Sequence, residues 1–293
     1  MQIKNNSKSL LMHFFSSIGF ESLAWASRRF HTPVSKDALV LEVGSGGNPY
    51  PRSNVLLDAF ETTRERHWVP LTSDRPTVLG FVENLPFKDK SFDYVIASHV
   101  LEHSKDPVKF LSELQRVAKA GYIEVPDAFL ERVNPYKDHR LEITIRNDQL
   151  IITKKKNWKH DQSVVELYED RVKPYLTKLL IPKRPFEFHV RHYWRGEINY
   201  LIKNPEIDVD WDAPGNDRLY TQGGVFSKIR EAFRSLLRNI LSQRSRNKSI
   251  DVRYILRCTK CHGDLQQVNN MGMVCNSCGA SYKVRNGIFV MNE

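Results

Sequence analysis

The chain has 293 residues, 41% of them apolar and 27% charged, which fits a soluble globular protein with one sizeable core and a small accessory unit. No segment reaches the roughly 18 uncharged apolar residues that a bilayer span needs, so a helical membrane protein is excluded and a cytoplasmic one, at most peripheral to a membrane, is expected. The net charge of +10 is uneven: residues 226 to 257 hold nine Lys or Arg against two acids, a local +7.

In chain order, Leu10 to Phe15 is too short for a signal-peptide core and contains His13, so it reads as an amphipathic helix packing near a ligand site. The apolar run from Leu39 then breaks into Gly44-Ser-Gly-Gly47, the pattern of a buried strand ending in a tight turn where missing Cβ atoms let a ligand approach the backbone. A second short apolar run ends in Asp58, a carboxylate placed to accept both hydroxyls of a ribose. A dinucleotide fingerprint fails, because Pro49 stands where its third glycine should and Asp58 lies too few residues on. A phosphate-binding P-loop fails too, since Asn48-Pro49-Tyr50 offers no lysine. Adenosine without phosphates is the guest that remains.

The segment Glu83 to His103, with its Leu85-Pro-Phe87 and Ser98-His99, continues into Asp106 to Ala118, where Val108, Leu111, Leu114 and Val117 recur at helical spacing, and then into a strand at Gly121 to Val125. Residues 39 to 126 thereby resemble class I S-adenosylmethionine-dependent methyltransferases. That resemblance implies a doubly wound, Rossmann-like α/β sheet and cofactor contacts from Glu42, Gly44, Ser45, Gly46, Asp58, Glu83, Asn84 and Ser98. Two features depart from the family. Only a brief helix fits between Gly47 and Asp58, with Pro49 and Pro51 opposing it, and Phe81 stands where relatives often carry an aspartate for the adenine amino group.

Residues 127 to 225 are the expected substrate-recognition region. Leu141 to Ile145 and Leu150 to Thr153 read as a hairpin, Val164 onward as a helix up to Pro174, and Phe186 to Val190 and Ile198 to Ile202 as strands. Lys154 to Lys156, Trp158 and Lys159 fit either a phosphate or glycan contact or a solvated hairpin end. His99, His103, His139, His189 and His192 are the polar candidates for chemistry, because a neutral imidazole can take a proton from an attacking hydroxyl. His99, just after the fourth strand, is the expected catalytic base, with a helix-start histidine bonded to backbone as the alternative.

Phe226, Ile229, Phe233, Leu236, Leu237, Ile240 and Leu241 recur at three- and four-residue spacing, flanked by Arg230, Arg234 and Arg238. This basic amphipathic helix, Phe226 to Leu241, either packs on its own domain or docks on an anionic membrane surface; nucleic acid ranks last, because so many apolar positions suit an interface better than a phosphate stripe. Ser242 to Ser249 loses periodicity and reads as a linker. Cys258, Cys261, Cys275 and Cys278 form two Cys-x-x-Cys knuckles with tetrahedral zinc spacing, and Gly279 permits the turn after the second. From Leu256 to Val290 the pattern resembles the zinc-ribbon activator of tRNA and protein methyltransferases, which implies a supporting rather than a catalytic ribbon. The expected layout is a methyltransferase domain at 1–225 (cofactor core 38–126), a basic helix and linker at 226–250, and a zinc ribbon at 251–293.

The expected activity is methyl transfer from S-adenosylmethionine to a hydroxyl of a small molecule, glycan or lipid-linked intermediate. RNA or translation-factor methylation, and a cofactor-binding scaffold without turnover, are the alternatives.

Overall fold

The computed structural model describes residues 8–66, 68–133, 136–158, 167–211, 236, 238, 240–269 and 272–292. In chain order these include helices α1 (Leu10–Ser17) and α2 (Glu21–Ser27), strands β1 (Val40–Val43), β2 (Val55–Asp58), β3 (Thr77–Leu79) and β4 (Tyr94–Ser98), helix α3 (Pro107–Val117), strand β5 (Ala120–Pro126) and helix α4 (Ala128–Val133). Strands β6 (Leu141–Arg146), β7 (Gln149–Lys154), β8 (His189–Arg195) and β9 (Tyr200–Ile202) follow, and then β10 (Leu265–Asn269), β11 (Gly272–Cys275), β12 (Ser281–Arg285) and β13 (Ile288–Val290). The chain divides into one unit of Met1–His31, Ser98–Pro107 and Tyr122–Gly215, and another of Thr32–Ala97, Val108–Gly121 and Asn216–Glu293.

In the unit that contains Thr32–Ala97, β2, β1 and β4 run parallel, with β3 parallel on the outer side of β2. The order β3-β2-β1-β4 is that of a Rossmann-like α/β sheet. These strands are apolar on both faces, and Val40, Leu41, Val43, Val55, Leu56 and Leu57 are fully buried, as parallel strands between covering layers require. Helix α3 buries Phe110, Leu111, Leu114 and Val117, while Val108 is 47% exposed. The expected inward face thus holds except in the first turn, where the larger Phe110 takes the place expected for Val108. Between β1 and β2 the chain forms only turns, a further shortening of the brief helix expected there.

The sheet continues beyond β3. Strands β10 to β13 pair antiparallel in sequence, and β13 lies parallel on β3 with Ile288, Phe289 and Val290 in register with Thr77, Val78 and Leu79. Residues 242 to 249, expected as a linker, instead include a helix at Arg244–Ser249. Its buried Asn247 accepts from Asn54 Nδ2 at 2.8 Å, and Arg246 donates to the carbonyls of Lys36, Asp37 and Ala38. Polar side chains dock it, so no hydrophobic periodicity marked it. Most of the Phe226 to Leu241 helix lies outside the described residues. Of it, Leu236, Ile240 and Leu241 are exposed, while Arg238 reaches Asn48 Oδ1 at 3.3 Å rather than standing in solvent.

In the other unit β6 and β7 form the expected hairpin, closed by Asn147 and Asp148 at φ 49° and 60°, the left-handed pair that a two-residue turn of this hand demands. Strand β9 lies parallel on β7, and Leu130, Leu176 and Phe188 form a small core. Two expectations are corrected. The helix does not stop at Pro174 but continues to Lys183 in alternating π and α turns, whose wider rings absorb the missing proline donor. Phe186 belongs to a 3₁₀ turn, and the strand begins at His189 and runs to Arg195. The start of the expected helix, Val164 to Glu166, and Lys159 lie outside the described residues. The expected N-terminal helix forms as α1, with Ser9 as N-cap, burying Met12 and exposing Leu10 and Phe14.

Candidate functional site

The turn after β1 is built for close approach. Gly44 and Gly46 adopt φ of 63° and 58°, and a Cβ on Gly47 would fall 2.6 Å from Val69 Cγ1 and 3.0 Å from the Pro70 carbonyl oxygen. The Asp58 carboxylate accepts from the Gly46 amide at 3.0 Å and the Phe60 amide at 3.3 Å, so the acid and the glycine turn meet as the sequence implied. Ser45 is 5% exposed and its Oγ has no hydrogen-bond partner, an orphaned hydroxyl inside the turn. Together these fit an adenosine ligand, whose ribose would take the carboxylate.

Sequence reasoning missed Arg66. Its guanidinium pairs with Asp58 and donates to the carbonyls of Phe60 (2.7 Å) and Glu61 (2.9 Å), closing the loop after β2 over the carboxylate. Phe60 was also missed: it is 46% exposed and meets Phe81, 43% exposed, edge to face with ring centroids 5.8 Å apart. Phe60 and Phe81 thus leave two open aromatic faces on the segments that follow β2 and β3.

Three of the residues implied as cofactor contacts make hydrogen bonds within the protein. Glu42 is buried and accepts from the Tyr50 amide (2.8 Å) and the Ser53 hydroxyl (2.7 Å), which braces the loop. Asn84 donates to the Thr259 carbonyl at 2.9 Å, tying the 3₁₀ turn after β3 to the cysteine region; Glu83 beside it is half-buried. Ser98 Oγ donates to Glu124 at 3.1 Å.

Glu124 organises the polar centre of the other unit. It is fully buried and accepts from Arg28 Nε (2.6 Å) and Nη2 (2.8 Å) and from the Tyr122 hydroxyl, with His99 Nε2 at 3.3 Å. Burial pushes its pKa up, but Arg28 and His99 overcome this and hold it well below the usual carboxylate range. His99 sits at φ 57° with its amide donating to the Glu124 carbonyl (2.8 Å) and Nδ1 3.4 Å from Glu102. Burial favours its neutral form, yet Glu102 and Glu124 outweigh burial and raise its pKa to about 9. Both ring nitrogens therefore face carboxylates that favour the charged ring over the proton-accepting form a general base needs.

His189 is its opposite. Burial first, and the His99 charge second, lower its pKa to about 4. Nδ1 lies 2.9 Å from the Pro185 carbonyl, which can only accept, so the proton sits on Nδ1 and Nε2 carries the lone pair. The His99 and His189 rings stand edge to face, 5.5 Å apart. His192 is buried, with its pKa lowered to about 4 by burial and neither ring nitrogen hydrogen-bonded, which reads as a packed core imidazole.

The four cysteines converge, with one sulfur from each within 4.8 Å of the others, Cys258 to Cys278 at 3.6 Å and Cys261 to Cys275 at 3.3 Å. Four thiolates at a bond length of about 2.3 Å from one zinc stand roughly 3.8 Å apart, so the set fits that ion. Burial raises the Cys258 thiol, but the Tyr282 hydroxyl and the Cys261 and Lys260 amides outweigh it and bring it down to about 6. Gly279 takes φ 72° after the second knuckle, as its position implied.

A family model described as a methyltransferase domain matches residues 53–123. An uncharacterized protein of Methanocaldococcus jannaschii is 30% identical over 115 residues, 38% of this chain and 48% of that protein. An uncharacterized methyltransferase of Schizosaccharomyces pombe is 51% identical over 43 residues, 15% of this chain and 16% of that one. The chain thus spans less than half the length of either relative. A solved Haloferax volcanii structure containing the Trm112 methyltransferase activator aligns with a TM-score of 0.37 at 14% identity, covering 67% of this chain and 100% of that chain. Residues 53–123 thus match a methyltransferase domain, and the parallel strands around them form a Rossmann-like α/β sheet.

Proposed function

We propose that the protein transfers a methyl group from S-adenosylmethionine to a hydroxyl of a small molecule, glycan or lipid-linked intermediate. The observation that carries the cofactor is the convergence of the Gly44 to Gly47 turn with Asp58 at the carboxyl ends of neighbouring parallel strands. Asp58 would hold the ribose, the Gly44 and Gly46 backbone and Ser45 Oγ the polar groups beside it, and Phe60 and Phe81 the adenine. When bound, the cofactor supplies an electrophilic methyl carbon.

Support for an oxygen acceptor comes from the imidazole pair. His189 Nε2 is the lone pair available to take a hydroxyl proton, and it stands beside a His99 ring whose two nitrogens face Glu102 and Glu124. Incubation with methyl-labelled cofactor and fractionated cell extract, with the label sorted into RNA, protein, lipid and glycan, tests the acceptor. Label in RNA or protein alone would overturn it.

Asp58→Ala is expected to weaken cofactor binding by roughly ten- to a hundredfold, the loss of a charge-assisted ribose contact of about 1.5 to 3 kcal/mol. Titration calorimetry of both proteins checks this. Equal affinities would remove Asp58 from the cofactor site, and no binding by the unaltered chain would remove the cofactor.

A further inference from the structure

The 3₁₀ turn Leu101–His103 and the segment before β6 bring Glu102, His103 and His139 together, one potential ligand atom from each lying within 4.8 Å of the others. Glu102 is 2% exposed and neither carboxylate oxygen is hydrogen-bonded; its ion pair with His99 Nδ1, at 3.4 Å, is longer than a charge-assisted hydrogen bond. An ionised carboxylate taken out of water in this way is normally either paired at hydrogen-bond distance or bound to a metal.

Both imidazoles are oriented through the same ring nitrogen. His139 Nδ1 lies 2.6 Å from Glu131 Oε2, and His103 Nδ1 lies 3.1 Å from the Asp138 carbonyl oxygen. These partners only accept, so each ring is protonated at Nδ1 and carries its lone pair on Nε2. Glu131 is fixed in turn by Lys155 Nζ at 2.7 Å and the Tyr136 amide at 3.2 Å. A carboxylate or carbonyl behind each imidazole is the arrangement that sets the tautomer and direction of metal-bound histidines. The rings stand edge to face, 4.7 Å apart.

We propose that Glu102, His103 and His139 bind a divalent first-row transition cation through two imidazole nitrogens and one carboxylate oxygen, with water in the remaining positions. Two nitrogens of borderline softness favour such a cation over magnesium, which prefers an all-oxygen shell. The site differs from the four-cysteine set in its ligands and therefore in its selectivity. Manganese(II) suits nitrogen and oxygen and competes poorly for thiolates, so with zinc limited to one equivalent per chain, which the four thiolates take first, manganese reports this site.

The test is titration of manganese(II) into the zinc-loaded full chain, followed by loss of the paramagnetic resonance signal of the free ion. One manganese per chain is expected. Glu102→Gln keeps the side-chain shape and removes the charge, and should weaken uptake at least about tenfold; Glu131→Gln, one shell out, should weaken it by about ten- to a hundredfold. Cys261→Ser should leave it unchanged. Circular dichroism melts establish that each variant is folded, and His103→Asn replaces Glu102→Gln if the latter is not. No uptake by the unaltered chain, uptake insensitive to the loss of Glu102 or His103, or uptake abolished by Cys261→Ser would each overturn the assignment.

Discussion

Cys275→Ser is expected to release the sulfur-bound zinc and unfold residues 256 to 293. The buried side chains of this region among the described residues are few, chiefly Leu256, Met273, Tyr282, Val290 and Met291 beside the cysteines. A structural zinc contributes apparent binding energy on the order of 10 to 16 kcal/mol, as large as the net stability of about 5 to 15 kcal/mol of a whole domain. Nothing in so small a core can replace it. Because β13 pairs with β3, hydrogen exchange should rise not only across β10 to β12 but also at Thr77 to Leu79. Unchanged exchange in the variant, or no zinc by metal analysis in freshly purified, reduced protein, would contradict this.

His189→Ala is expected to lower kcat about 10²-fold with cofactor affinity unchanged. This is the lower end of the range for general-base assistance, because a base with a pKa near 4 provides little driving force for proton removal. His99→Gln removes the neighbouring charge but leaves the His189 lone pair, and should cost less. Steady-state kinetics with the acceptor found by labelling give the comparison. A His189→Ala enzyme as fast as the parent would leave in-line positioning as the whole of the chemistry.

What could be read from the chain follows the kind of interaction that holds each part. Strands β1, β2 and β4 and the inward face of α3 are held by apolar burial, which leaves periodicity in the sequence. The Asn147-Asp148 turn and the cysteine knuckles are fixed by local chemistry at set spacing, and those too were legible. The Arg244–Ser249 helix was not, since its attachment is a set of side chains reaching backbone carbonyls more than 200 residues earlier in the chain. In the candidate site, Gly44, Gly46 and Asp58 met as expected because both strand ends are local features. Arg66 and Arg28 escaped notice because an exposed-looking arginine carries no sign of the carboxylate it will meet. Glu124 did carry one: an acid inside the apolar run Tyr122 to Val125 signals a buried partner. His99 was picked for its place, but its charge is set by Glu102 and Glu124, one of them 25 residues away.

The pairing of β13 with β3 also imposes an order on synthesis. A ribosome completes Thr77–Leu79 long before it reaches Ile288–Val290, so for more than two hundred residues of elongation the outer edge of β3 presents unpaired amides and carbonyls on an almost wholly buried apolar strand. Such an edge is a template for any passing strand, including the same edge on a neighbouring nascent chain. Closure of that edge waits for Ile288–Val290 and for β10 to β13 to fold around the four cysteines, so scarcity of zinc is expected to appear first as loss of yield during translation and only afterwards as loss of activity.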